Sequence, residues 1–92
     1  MFRYKPGINV SYERQGVIYF RSLLYSELGA AEREEIRGLC RKAGGEHWKA
    51  LLEFVTTEEG ADRVCERNYL SRRTLYRAVG RYYELADGRW IS

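Results

Sequence analysis

Two cysteines, one proline and one histidine in 92 residues leave several kinds of chemistry without material. Cys40 and Cys65 are too few for a disulfide framework and too far apart for a paired-thiolate metal motif, so both read as small buried apolar residues. A site built from Cys40, His47 and Cys65 would need Glu46 or water as a fourth ligand, and its spacing follows no zinc pattern; no metal and no cofactor are expected. His47 lies beside Trp48 and near Leu51 in a segment that reads as packing, which leaves no nucleophile and base to pair. Glu32, Glu34 and Glu35 read as the start of a helix rather than as a paired acid and base. There is no glycine loop to cradle a phosphate. An enzyme with a small-molecule substrate is therefore not expected.

Long apolar runs are also missing. No stretch approaches the roughly 20 apolar residues that a membrane-spanning helix requires. The charged segment Met1-Phe2-Arg3-Tyr4-Lys5-Pro6-Gly7 is not followed by an apolar stretch with a small-residue cleavage site, so it does not read as a signal peptide. A cytoplasmic location without a membrane partner is the expectation.

What is present is 45% apolar, 14% aromatic and 32% charged, enough for one compact core under a heavily solvated surface. The chain is expected to form a single domain over residues 1–92, all-α, with about five short helices. Residues 1–16 hold the only proline and read as an extended arm, or as a short hairpin through Ile8, Val10, Tyr12 and the run after Gly16. A first helix is expected from Ser11 or Glu13 to Leu28, with Val17, Phe20, Leu23, Leu24 and Leu28 at steps of three and four. A second, over 30–43, carries Ile36, Leu39, Cys40 and Ala43 on one stripe and is stopped by Gly44-Gly45. A third, over 46–55, turns Trp48, Leu51, Leu52 and Val55 inward. Thr56 with Glu59 fits a capping box for a fourth helix over 58–67, which would contain Gly60. Asn68-Tyr69-Leu70 breaks the pattern, and Ser71 caps a last helix over 72–85 that Asp87-Gly88 ends.

Charge is divided unevenly along the chain. Residues 1–62 hold nine Lys and Arg against ten Asp and Glu, whereas residues 63–92 hold seven Arg against Glu66, Glu84 and Asp87. Arginine suits bidentate contact with phosphates and guanine edges. On a helical wheel Leu75, Ala78 and Tyr82 share one side, with Val79 and Ala86 near its edge. Arg72, Arg73, Tyr76, Arg77 and Gly80 share the other, and no acidic residue lies between Arg67 and Arg81. Two helices joined by about three residues, the second opened by Ser and rich in Arg, match the arrangement that places a helix in the major groove. The helix-turn-helix would occupy residues 57–86. Of the eight tyrosines, most read as rings at the margin of the core, with Tyr76 the exception. Trp48 and Trp90 read as packing residues.

The stretch Val64-Cys65-Glu66-Arg67-Asn68-Tyr69-Leu70-Ser71-Arg72-Arg73-Thr74-Leu75-Tyr76-Arg77 resembles the helix-turn-helix of region four of bacterial sigma factors and of small phage-type transcriptional regulators. The resemblance covers about a third of the chain. It implies that Val64 and Cys65 pack the first helix, that Leu70 follows the turn and that Ser71 caps. It further implies that Thr74 reaches a phosphate while Leu75 is the buried anchor. Arg72, Arg73, Tyr76 and Arg77 fall at the groove-facing positions, and Arg63, Arg67 and Arg81 add sequence-independent attraction. The turn carries Tyr69 where the family usually has Gly. Asn68 is then expected to adopt the left-handed turn, with the Tyr69 ring packed on the first helix or its hydroxyl on a phosphate. The expected partner is double-stranded DNA, met as a homodimer or within an RNA polymerase complex, with the face of Phe20, Leu24 and Leu28 as the contact between copies. The other reading of the same residues is a helical interaction module whose arginine face docks an acidic protein.

Overall fold

The computed structural model describes residues 2–91, and among them every regular element is helical. Helix α1 covers Tyr12–Leu23, α2 Ala30–Gly44, α3 Trp48–Thr56, α4 Ala61–Asn68 and α5 Arg72–Trp90, with single 3₁₀ turns at Tyr25–Glu27 and Gly45–His47. α5 lies along α2, and α1, α3 and α4 close around the pair. The shared core contains Ile18, Ile36, Cys40, Leu51, Val64, Leu75, Val79 and Tyr82, all essentially inaccessible to water. Cys40 and Cys65 are both buried free thiols, and burial pushes the Cys40 thiol up to about 12. No helix among the described residues is long and apolar enough to cross a membrane.

The helix ends follow from local chemistry. Ser11 opens α1 by accepting from the Arg14 N–H, and the Glu32 carboxylate folds back onto the Gly29 N–H to open α2. α2 stops at Gly45, whose φ of +56° with ψ of −128° is open in practice only to glycine. Gly44 is needed for a different reason, since a Cβ there would stand 3.3 Å from Leu51 Cδ2 where α3 crosses.

Four local expectations are corrected. α1 ends at Leu23 rather than at Leu28, and its core side is not the apolar one. Gln15, Ile18 and Ser22 are buried, while Val17, Phe20 and Leu24 are about half exposed. The polar pair is buried because it is fully bonded. The Gln15 side-chain amide donates to the Lys5 and Val10 carbonyls and accepts from the Lys5 N–H. The Ser22 hydroxyl donates to the Ile18 carbonyl, so the Tyr82 hydroxyl 2.7 Å away must donate to Ser22. Second, Thr56 closes α3 instead of opening α4. Its hydroxyl, like that of Thr57, bonds back to a carbonyl four residues earlier. Third, Gly60 is therefore the residue before α4 and not an interior one. Fourth, α5 runs through Gly88 to Trp90 because its last turn is anchored on α2.

That anchor is Glu35. It accepts from Arg89 Nε at 2.7 Å and Trp90 Nε1 at 2.9 Å, with Arg21 3.8 Å away. These donors, Arg89 foremost, hold its carboxyl below the ordinary 4.5. A carboxylate with a depressed folded-state pKa contributes stability above its unfolded value and loses it as pH falls through the folded one. Stability measured by urea unfolding is thus expected to decline as pH drops below 4.5, and Glu35→Gln should lower the neutral-pH value while flattening that acid limb.

Candidate nucleic-acid interface

α4 and α5 are joined by three residues, Tyr69, Leu70 and Ser71. Tyr69 makes the turn, with φ 56° and ψ 47°, and both its N–H and that of Leu70 bond to the Cys65 carbonyl. This overturns the expectation for Asn68, which stays helical because its amide donates to Glu53 on α3 and to the Val64 carbonyl. The Tyr69 ring does not pack on α4 either: at 95% exposure it stands out in solvent. A non-glycine residue in the left-handed region costs about 1–2 kcal/mol, and here no packing offsets it. Tyr69→Gly is expected to raise the melting temperature by several degrees in a thermal scan, corresponding to about 1 kcal/mol.

Ser71 caps α5 as expected. Its oxygen accepts from the Thr74 N–H at 3.1 Å and its hydroxyl donates to the Thr74 side chain at 2.9 Å. Leu75, Ala78, Val79, Tyr82 and Ala86 are buried, joined by Tyr83, which the wheel did not assign to the core. Arg72, Arg73, Tyr76 and Arg77 are exposed. The two sides of α5 are therefore an apolar anchor and an outward cationic face.

The arginines of that face are not equivalent. Arg73 and Arg77, one helical turn apart, are exposed, and no acidic group among the described residues pairs with them; the same holds for Arg63 on α4. Arg72 reaches Asp62 at 3.3 Å, but both side chains are widely exposed and such a pair is worth little. Arg67 is held between the carboxylates of Glu53 and Glu59 and ties α4 to α3. Arg81 Nε donates to the Ala43 carbonyl at 2.8 Å and closes the C-terminal end of α2. Of the nine residues singled out from sequence, Arg67 and Arg81 thus have their guanidinium groups engaged inside the molecule. Arg63, Arg73 and Arg77 face outward without a partner, Tyr76 lies between the last two with its ring edge against Phe54, and Ser71 and Thr74 sit at the helix start.

No known protein family, curated protein or solved structure matches this chain.

The N-terminal arm adds what the sequence did not indicate. Residues 4–8 lie along the rear half of the outward face of α5, where Tyr4, Lys5, Pro6 and Ile8 and the residues Tyr76, Arg77, Gly80 and Arg81 wall a groove of about 510 Å³. Gly80 is where the arm crosses, with Ile8 close enough to touch a Cβ placed there. The arm is fastened by Gln15, and neither strand nor hairpin forms among its described residues. Lys5 is half buried over the Tyr83 ring, 5.2 Å from its centroid, and desolvation lowers its pKa. Arg72 and Arg73 in the first turn of α5 are clear of the arm, while Tyr76 and Arg77 border the groove and remain exposed. No cluster of three or more His, Cys, Asp or Glu side chains fit to hold a metal occurs among the described residues.

Proposed function

We propose that the protein binds double-stranded DNA through the front of α5, acting as a small transcriptional regulator of phage or mobile-element type. One observation carries the reading. Arg73 and Arg77 stand one turn apart without acidic partners, flank Tyr76, and occupy the first turns of a helix that Ser71 caps directly after a three-residue connection from α4. In helix-turn-helix proteins those first turns meet base edges, while the preceding helix crosses the backbone. Arg73 and Arg77 supply bidentate donors for guanine or phosphate, and Tyr76 an apolar or backbone contact. Arg72 and the Thr74 hydroxyl supply donors for phosphate oxygens, the Ser71 hydroxyl being given to Thr74, and Arg63 adds attraction from α4.

The test is selection of bound sequences from a random duplex pool, followed by titration of salt against the selected site. An enriched motif, and log affinity falling steeply with log salt, are the expected results. Failure to shift any duplex at about 50 mM salt, together with tight binding to an acidic protein, would transfer the same cationic face to protein docking.

A further inference from the structure

The outward side of α1 carries Tyr12, Val17 and Phe20, with Leu24 just past its end, each between 48% and 58% exposed, on a helix whose opposite side is locked into the core. These side chains wall one shallow groove with Glu13 at one end and Arg21 towards the other. We propose that this groove is the self-association face of the protein, closed by the same face of a second copy packed antiparallel about a two-fold axis. The inference stands apart from the reading of α5, and its test contains no nucleic acid.

The area is of the right size. An aromatic side chain presents about 150–250 Å² and an aliphatic one somewhat less, so two half-exposed aromatics with Val17 and Leu24 leave roughly 400 Å² of apolar surface open per copy. Two copies would cover roughly 800 Å², which at the ~65% apolar share of homodimer interfaces corresponds to about 1,200 Å² in total, the lower edge of stable interfaces. An interface of that size suits a weak, reversible dimer, not an obligate one.

Charge selects the geometry and the partner. Glu13 is exposed, and no basic group among the described residues pairs with it. Arg21 keeps about a third of its side chain exposed (35%), with its guanidinium 4.8 Å from the Trp90 ring centroid and 3.8 Å from Glu35. A face with an acid at one end and a base at the other is complementary to itself only when the second copy runs the opposite way. With the axis between Val17 and Phe20, Val17 of one copy meets Phe20 of the other, and Glu13 comes to within about 5 Å of Arg21 along the helix axis. A parallel arrangement would set like charges together. Because the face carries no excess of either sign, nothing on it favours a partner of one charge over another copy of the chain.

Sedimentation or light scattering of the isolated protein from about 5 to 500 µM tests this. A concentration-dependent monomer–dimer equilibrium is expected, with Val17→Glu and Phe20→Glu each raising the dissociation constant at least about a hundredfold. Glu13→Arg should weaken association more than Glu13→Gln. Phe20 also touches the Phe2 and Tyr19 rings, so Val17→Glu decides the matter if Phe20→Glu disturbs the arm. A protein that stays monomeric throughout, or a dimer indifferent to both glutamates while circular dichroism shows the fold intact, overturns the proposal. So does a chain that is monomeric alone and uses this groove for a different protein.

Discussion

Replacing Arg73 and Arg77 together by alanine is expected to reduce affinity for the selected duplex by a hundredfold or more while leaving the fold unchanged. Each guanidinium that reads a base contributes about 1–3 kcal/mol of discrimination. Each that neutralises a phosphate contributes about −0.9 to the slope of log affinity against log salt. Fluorescence anisotropy across a salt series separates the two roles. If both arginines read bases, the double variant loses preference for the selected site over a scrambled one. If both hold phosphates, the slope falls by nearly two and affinity drops about equally for all sequences. Stability should change by less than about 0.5 kcal/mol, because neither side chain is buried or paired. Arg67→Ala is the informative contrast. Its guanidinium joins Glu53 on α3 to Glu59 before α4, so its loss leaves two carboxylates facing each other and should act on the melting temperature more than on binding.

The largest stability effect is expected at Tyr82. Its ring is fully buried between α1, α2 and α5, edge-on to Tyr83 and Trp90, and its hydroxyl is the donor that Ser22 requires. Removing a large buried aromatic costs about 3–5 kcal/mol. A chain of this length has on the order of 5–14 kcal/mol in total. Urea unfolding should therefore find Tyr82→Ala only marginally folded at 25 °C. Tyr82→Phe keeps the ring and leaves Ser22 bonded to the Ile18 carbonyl, so it should cost about 1 kcal/mol. A Tyr82→Phe loss as large as that of Tyr82→Ala would mean that the hydroxyl pair, not the ring, holds α1 to α5.

The all-helical class and the two sides of α5 were legible in the sequence, because both rest on residues whose chemistry has one outcome. Leu75, Ala78 and Tyr82 at helical spacing have nowhere to go but the core, and Ser71 three residues before Thr74 is a cap wherever it occurs at a helix start. α1 misled because periodicity registers apolar side chains and takes no account of whether a polar one will find its partners. Gln15 and Ser22 are buried through bonds to Lys5, Val10 and Tyr82, positions that only the folded chain brings near. The turn was misassigned for a related reason. Asn tolerates the left-handed region better than Tyr, but Asn68 is drawn into the helix by Glu53 from α3, and the conformational cost passes to Tyr69. Within the cationic cluster, sequence could count arginines but not their occupancy. Glu53, Glu59 and the Ala43 carbonyl, which engage Arg67 and Arg81, are 8 to 38 residues distant along the chain.

The arm across Gly80 limits how much of a nucleic acid one copy can address. The stretch ahead of that crossing, residues 72–77, extends about 9 Å along α5 at 1.5 Å per residue, against a rise of about 3.4 Å per step of duplex, which amounts to some three base pairs. On the proposed reading a single molecule has too small a vocabulary to mark one locus in a genome. Its operator would then be composite, either an inverted repeat of two such triplets or one triplet beside sequence read by a polymerase, and the spacing between the parts would be as constrained as their letters.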